Sequence, residues 1–477
     1  MNTKIAVYYL MLISSLCSCY GKESGSLDVE FPSQKSIYLY ATDIDLSSVG
    51  IKLNGGNWIE WDGNPPLTWE LNEVNSGTYE VYLTASVPQE LDGTRLSLRC
   101  KEKEQSLVLT NTKGPFKAKN YQRVKLPGSV ELKEGKQKIT LAATHAFAEG
   151  AIMSFRSIEL LPLNEKANII KEQQRAIDSR SDMDWMLKDG YGLMFHWTSE
   201  SLQPDDTIKE FEDAVNDFDV QKFANMVDET GAGYVMFTIG HAESYCPAPI
   251  KSWEKCHPGH TTKRDLIGEI ADALNEKGVR LFCYINAPLA FKFNKNRKPS
   301  EADKAAFVEN FNSILSEMGN RYKQKIEGYW FDSWYQIFEK FQDVPFEEFY
   351  KATKVGNEKR AICLNSWIYP VVTPWQDYWA GELGRHKIEP AVNGYMVGGP
   401  APNLPYQALM VMDSSWVKSR KGPIKDPKWS SEDLSKYIRD CMNNQGLVTL
   451  NLAIYQDETV GEKSLQVMRE VKQRIRK

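Results

Sequence analysis

From about residue 188 to the C-terminus the chain repeats one rhythm, a short apolar run followed by an amphipathic helical stretch. The runs are Tyr191–Phe195, Tyr234–Thr238, Val279–Ile285, Gly328–Phe331, Ala361–Leu364 and Val448–Leu452. The helical stretches include Asp219–Thr230, Lys263–Lys277, Lys304–Met318 and Ser430–Asn443. Apolar runs without alternation are strands buried on both faces, and strands joined by helices form a parallel sheet. Over about 290 residues this predicts a (β/α)₈-type barrel across 188–477, since that fold needs about 250. A doubly wound sheet is the other arrangement, but no Gly-rich phosphate loop follows any of the strands.

The preceding segment has a different period. Ser36-Ile-Tyr-Leu-Tyr, Gly77-Thr-Tyr-Glu-Val-Tyr-Leu-Thr, Leu96-Ser-Leu-Arg and Gln137-Lys-Ile-Thr-Leu alternate with period two and are separated by Gly, Pro and Asn. That pattern predicts an all-β sandwich over 27–162, joined to the barrel by a charged, helix-prone linker at 163–187. Such a sandwich serves either as a sugar-binding module or as a brace. Trp58, Trp61 and Trp69 are its candidate stacking rings.

The first nineteen residues read as a targeting segment. Lys4 precedes an apolar run, Ile5–Ile13, that is too short to span a bilayer. Leu16-Cys17-Ser18-Cys19 then resembles a bacterial lipoprotein signal, with Cys19 the lipid-bearing residue. The expectation is an exported protein held on the periplasmic or cell-surface face of a bacterial membrane through its lipid only; an ordinary secretory signal is the alternative. Outside the cytoplasm a disulfide is permitted, and Cys246 and Cys256, in one Pro-rich loop, are the expected pair. A net charge of −5 provides no basic footprint for nucleic acid.

Chemistry concentrates at the strand ends. Gly328-Tyr-Trp-Phe-Asp332 is an apolar strand ending in a carboxylate among aromatic rings, at the barrel position where catalytic groups are placed. Rings cover the apolar face of a pyranose, and a carboxylate meets its anomeric carbon. The plainer reading of Asp332 is a helix N-cap. Strand one ends in His196-Trp197, and strand two in His241-Ala242-Glu243. A zinc site can be drawn from His241, Glu243, Cys246 and His257, but catalytic zinc ligands are usually more tightly spaced, and no metal or organic cofactor is expected.

These strand ends, in order, resemble family 29 glycoside hydrolases, the α-L-fucosidases. Phe195-His196-Trp197 stands where that family has Phe-x-x-His-Trp-Gly. The stretch from Thr230 to Tyr245 follows its second strand, and Lys263-Arg-Asp-Leu-Ile-Gly-Glu resembles its Arg-Asp-Leu-Val-Gly-Glu helix. Trp330-Phe-Asp332 is similar to the segment holding the family nucleophile. Val411-Met-Asp-Ser-Ser-Trp416 and Gly446-Leu-Val-Thr-Leu-Asn451 resemble two further family strands.

The resemblance implies a retaining exo-α-glycosidase acting on a terminal α-L-fucosyl or α-L-galactosyl residue of an oligosaccharide or polysaccharide. Asp332 would be its nucleophile. Glu382, in Gln376-Asp377-Tyr378-Trp379-Ala-Gly-Glu382, would be its acid/base, on a loop rich in Trp and Tyr that raises its pKa by desolvation. His196, Trp197, His241, Glu243, Tyr284, Trp330 and Trp416 would contact the sugar. Three departures stand out. The family's second His is Ala242, and its Glu-Trp-Tyr loop is cut down to Thr198–Asp206, with Glu200 the candidate substitute. Asn-Asp-Arg after strand five is Asn365-Ser366-Trp367, leaving Arg385 to compensate. These losses keep a rival open, a glycan-binding surface lipoprotein without catalysis.

Overall fold

The computed structural model describes residues 29–46, 50–54, 58–100, 103–112, 121–365, 371–384, 395–396, 399–400 and 404–476. Cys19 and its signal, Ser366, Trp367 and Arg385 lie outside the described residues.

The N-terminal part is a sandwich of two antiparallel sheets. One holds β1 (Ile37–Tyr40), β2 (Leu53–Asn54), β3 (Trp58–Trp61), β5 (Gly77–Ser86), β8 (Gln122–Leu132) and β10 (Met153–Pro162). The other runs β4 (Leu67–Leu71), β9 (Gln137–Ala143), β6 (Arg95–Cys100), β7 (Lys103–Val108). Period-two alternation turns one side of each strand inward. Across the second sheet, Trp69, Ile139 and Cys100 form one buried row, and Leu67, Leu141 and Leu98 the next. β10 is buried along nearly its whole length, with part of its outer face against the barrel.

That contact accounts for one of the three candidate stacking rings, and the sandwich core for the other two. Trp58 packs with Tyr121 in the apolar cluster shared with the barrel, while Trp61 and Trp69 belong to the sandwich core. All three are at most 3% exposed, so none offers a face to a glycan. Where sheet and barrel meet, Tyr38 sits edge-on to Phe338, and Arg156 Nη2 meets Glu339 Oε1 at 2.5 Å. Desolvation raises the Glu339 carboxyl above its usual range despite this partner, so the cost of burying the pair offsets much of its attraction.

Two helices, Lys166–Asp178 and Asp184–Asp189, connect to the barrel. Its strands are β11 (Tyr191–Phe195), β12 (Tyr234–Gly240), β13 (Arg280–Asn286), β14 (Ile326–Asp332), β15 (Ala361–Leu364), β16 (Trp379–Gly384), β19 (Tyr406–Val411) and β20 (Gly446–Asn451). A short antiparallel pair, β17 (Tyr395–Met396) and β18 (Gly399–Pro400), precedes β19. Every barrel pairing is parallel, in the order β15-β14-β13-β12-β11-β20-β19-β16. The ladder is open between β15 and β16. There the Asp377 amide donates to the Ile362 carbonyl, Asp377 Oδ2 accepts from the Ile362 amide at 2.7 Å, and Gln376 Oε1 accepts from the Leu364 amide.

Inside the barrel, Met194, Tyr234, Met236, Phe282, Tyr284, Trp330, Tyr378 and Leu409 fill the space, large residues set against small. A Cβ on Gly328 would run into the Phe282 ring, so the glycine permits that packing. Outside, four of the described helices start where acceptor side chains satisfy free N–H groups. Asp219 caps Val220–Thr230, Asp265 caps Leu266–Glu276, Ser300 caps Glu301–Tyr322 in a capping box, and Ser430 caps Ser431–Asn443. The Arg264-Asp265 pair is a fastener. Arg264 donates to the carbonyls of Val215, Asn216 and Phe218, and Asp265 also accepts from the Tyr322 hydroxyl. Among the described residues no helix is long and apolar enough to cross a membrane.

Candidate active site

At the C-terminal ends of the barrel strands lies a cavity of about 330 Å³, lined by His196, Glu200, His241, Tyr284, Trp330, Asp332 and Glu382 from one side. Leu409, Ser415, Trp416, Val417, Ser419 and Arg420 close the other. The volume is at the lower end for small-molecule sites. A larger groove, near 1030 Å³, opens toward the N-terminal ends of β14 and β15. Three of its cations are engaged in ion pairs, Arg175 and Lys351 with Glu347 and Lys354 with Asp377.

Asp332 ends β14, and Ser333 after it takes a left-handed turn (φ 59°) that leads into helix Trp334–Lys340. The carboxylate does not cap that helix. Its Oδ1 accepts from the Ser333 amide at 2.7 Å and from Asn365 Nδ2 at 2.8 Å, while Oδ2 accepts from the Tyr284 hydroxyl at 2.6 Å. Three donors from three segments hold one orientation. Strand register explains the convergence. Asn286 pairs with Asp332 across β13 and β14, Phe331 with Leu364 across β14 and β15, and Asn365 follows directly.

Glu382 is on a strand, not on a loop as the sequence suggested: it lies within β16, opposite Leu409 of β19. Its Oε2 accepts from the same Asn365 Nδ2 at 3.1 Å. An amide nitrogen directs its two N–H bonds about 120° apart, so the two accepting oxygens lie about 5 Å from each other. Burial raises the Glu382 pKa to about 8, with the Asp332 charge adding to the rise and the Asn365 bond opposing it. At neutral pH one carboxyl of the pair therefore keeps its proton.

The two imidazoles occupy the next strand ends. His196 Nδ1 lies 2.6 Å from Asn451 Oδ1, and Asn451 Nδ2 donates to the carbonyls of Ser415 and Trp416. Those carbonyls fix the amide orientation, so Nδ1 carries the proton and Nε2 is the acceptor. Burial first, then the neighbouring His241 ring, hold the His196 pKa down at about 3, so the ring is neutral at any working pH. His241 is also shifted downward by burial, against the pull of Asp332, Glu200 and Glu243. Tyr284 stacks on Trp330 with ring centroids 5.3 Å apart, and Trp416 tilts over His196. Trp330 Nε1 donates to Gln407 Oε1 at 3.0 Å, which fixes that indole.

Two residues expected at the sugar are elsewhere. Trp197 lies beneath the mouth, packed on Phe211, Phe218 and Phe237 with its Nε1 bonded to the Gln456 carbonyl. Glu243 is exposed on the loop after β12 and lines a separate, water-sized hollow. Cys246 and Cys256 are not bonded, and all six cysteines among the described residues are buried free thiols. Among the described residues no three His, Cys, Asp or Glu side chains are grouped to hold a metal ion; His257 Nε2 instead lies 2.9 Å from the Ala290 carbonyl. Asn365 was legible only as a departure from a motif, and Arg420 and Ser419 carried no signal at all.

Comparison with known proteins gives one family. The α-L-fucosidase family model matches residues 166–475. Among solved structures, a GH29 α-L-fucosidase from Bacteroides thetaiotaomicron is 18% identical over 62% of this chain and 74% of its own, with a TM-score of 0.47. α-L-Fucosidase isoenzyme 1 from Paenibacillus thiaminolyticus is 19% identical over 63% and 76%, with a TM-score of 0.48. An α-L-fucosidase from Lactobacillus casei, in complex with α-L-fucose product, is 17% identical over 61% and 97%, with a TM-score of 0.42. No curated protein matches the chain.

Proposed function

We propose, from the premise that this chain belongs to the α-L-fucosidase family of glycoside hydrolases, that it is a retaining exo-α-glycosidase. Its substrate is a terminal α-L-fucosyl or α-L-galactosyl residue of an oligosaccharide or polysaccharide. The observation that carries the retaining assignment is that one nitrogen, Asn365 Nδ2, donates to an oxygen of each carboxyl, which with ideal amide geometry sets those oxygens about 5 Å apart. A double displacement uses a separation of about 5–5.5 Å, whereas an inverting enzyme leaves about 6.5–9.5 Å for a water. Asp332 attacks the anomeric carbon as the glycosidic C–O bond breaks, and Glu382 gives its proton to the leaving oxygen. Glu382, now a carboxylate, then takes a proton from the water that cleaves the glycosyl ester and frees Asp332.

His196 offers Nε2 as an acceptor to a sugar hydroxyl, His241 faces the same space, and Trp330 and Trp416 supply apolar faces. A site shaped for a methyl group rejects an added hydroxyl only weakly, which brings α-L-galactosides within its range. Export and lipid anchoring at Cys19 are part of the same reading, motivated by the Leu16–Cys19 motif. Loss of fatty-acid labelling in Cys19→Ala would support the anchor, and unchanged labelling would remove it.

The test is hydrolysis of aryl α-L-fucoside and aryl α-L-galactoside by the wild type and Asp332→Ala, with the configuration of the released sugar followed by NMR. Turnover with retention that vanishes in the variant is the expected result. Inverted product would discard the mechanism. Glycan binding without turnover of either sugar would make the protein a lectin-like member of its family, a reading that the Ala242 replacement favours.

A further inference from the structure

Asn365 is fully buried and follows β15, between the strand that carries Asp332 and the strand that carries Glu382. Its amide N–H donates to the Phe331 carbonyl at 2.8 Å, which fixes its backbone to β14. Its side-chain Nδ2 then reaches one oxygen of each carboxyl, at 2.8 and 3.1 Å. The position lies beside the open seam of the barrel, where no ladder of backbone bonds sets the distance between β15 and β16. We propose that Asn365 is a positioning residue that sets the spacing of the two carboxyls and stays bonded to both throughout the reaction. The proposal rests on the glycosidase reading for its purpose, and on this geometry for its existence.

The charge on the pair explains why one amide is enough. Before attack Asp332 is the anion and Glu382 the acid. Once the ester bond to the anomeric carbon has formed and the proton has left with the aglycone, Asp332 is neutral and Glu382 is the anion. A single negative charge therefore moves from one N–H acceptor to the other, and the amide need not turn to follow it. A lysine there would bind both carboxylates too firmly for either to hold a proton, and an aspartate would add a third like charge.

The other titratable or charged groups facing the pair are Tyr284, Tyr335, His196, His241, Glu200 and Arg420. Both histidines are held toward the neutral form, and burial raises both tyrosine hydroxyls, Tyr335 to about 12. Near neutral pH the Asn365 bonds can therefore be read through the two carboxyls.

The experiment is a ¹³C NMR titration of the Glu382 carboxyl in protein labelled at glutamate, with the resonance assigned by its loss in Glu382→Gln. In Asn365→Ala the midpoint should rise by about one pH unit, because a donor to the ionised form has gone. The kcat/KM profile of the variant should shift so that both limbs move upward in pH, with kcat lower by about 100-fold. A residue that only supports the fold would lower the profile without moving its limbs. Asn365→Ser, which keeps a donor on a shorter stem, should fall between, and it serves if the alanine variant does not fold. A midpoint unmoved in either folded variant overturns the proposal. Because the titration needs no turnover, a wild type that cleaves no glycoside would sink the hydrolase reading and still leave this one decided.

Discussion

The two sides of the barrel mouth are built to different standards. On the β14–β16 side, Asp332 accepts three hydrogen bonds and Asn365 ties it to Glu382. On the β11–β12 side, His196 is fixed by Asn451, yet His241 Nδ1 and Thr238 Oγ1 are buried without a partner among the described residues. Both of those atoms belong to residues lining one water-sized hollow. The first loop is short, Ala242 stands where an imidazole was expected, and Glu200 and Glu243 are exposed. The proposed bond-breaking groups are over-determined, while His241, one of the two imidazoles proposed to read sugar hydroxyls, is held by fewer bonds. The difference teaches that reaction type and substrate preference can be separated within a single cavity.

The sharpest break of that contrast is Asp332→Ala. Loss of the nucleophile should lower kcat/KM on an aryl glycoside by at least about 10⁴-fold. If single-turnover assays find a residual rate within tenfold of wild type, the carboxylate side is not where the chemistry occurs.

Glu382→Gln comes next, with a loss of about 10²–10⁴-fold that is greatest for substrates with poor leaving groups. A raised carboxyl keeps its proton below its pKa and loses it above, so wild-type kcat/KM should fall above about pH 8, and that limb should be absent in the variant. The sign for stability follows from the same shift. A raised folded-state pKa stabilises fully below the unfolded value and is lost as pH rises through the folded one. Between about pH 4 and pH 8, thermal unfolding should therefore show wild type losing stability that Glu382→Gln retains.

On the other side of the mouth, His196→Ala should raise KM by about 10- to 100-fold with a smaller change in kcat, as expected when a binding contact is removed. An equal fall in kcat and kcat/KM would place His196 in the transition state and erase the distinction between the two sides. The smallest effect belongs to Thr238→Val. Removal of a buried, unpartnered hydroxyl should leave turnover within about threefold and stabilise the fold by about 1 kcal/mol in a denaturant melt. A marked rise in KM instead would show that the hydroxyl serves His241.

What could be read from the chain beforehand follows the same division. Strands whose apolar run ends in a polar residue were legible, because burial on both faces leaves a plain signature: Phe195 before His196, Phe331 before Asp332. Strand β16 was not, since Trp379-Ala-Gly-Glu-Leu-Gly contains two glycines and an acid, and its strand state depends on pairing with β19. Glu382 was therefore expected on a loop. Trp58, Trp61 and Trp69 misled in another way, because an indole in a sandwich strand looks the same whether it faces a glycan or the core. Cys246 and Cys256 share a loop, but helix Lys251–Cys256 lies between them, and the two thiols remain apart. Asn365 was visible only inside a motif comparison, as the first residue of Asn365-Ser366-Trp367, because its contact with both carboxyls exists only once three strand ends are side by side.

Under the proposed double displacement, the seam between β15 and β16 would give stereochemistry a mechanical origin. Elsewhere in the barrel the backbone ladder sets the distance between neighbouring strands; here the side chains of Asp377, Gln376 and Asn365 join a single backbone bond, Asp377 N–H to the Ile362 carbonyl, in doing so. Prising that joint open by about 2 Å would carry the two carboxyls from the span of a double displacement to that of a single one. If the chain is the retaining glycosidase proposed above, the handedness of the released sugar would depend on that joint, and a protein engineer seeking the opposite anomer would cut there.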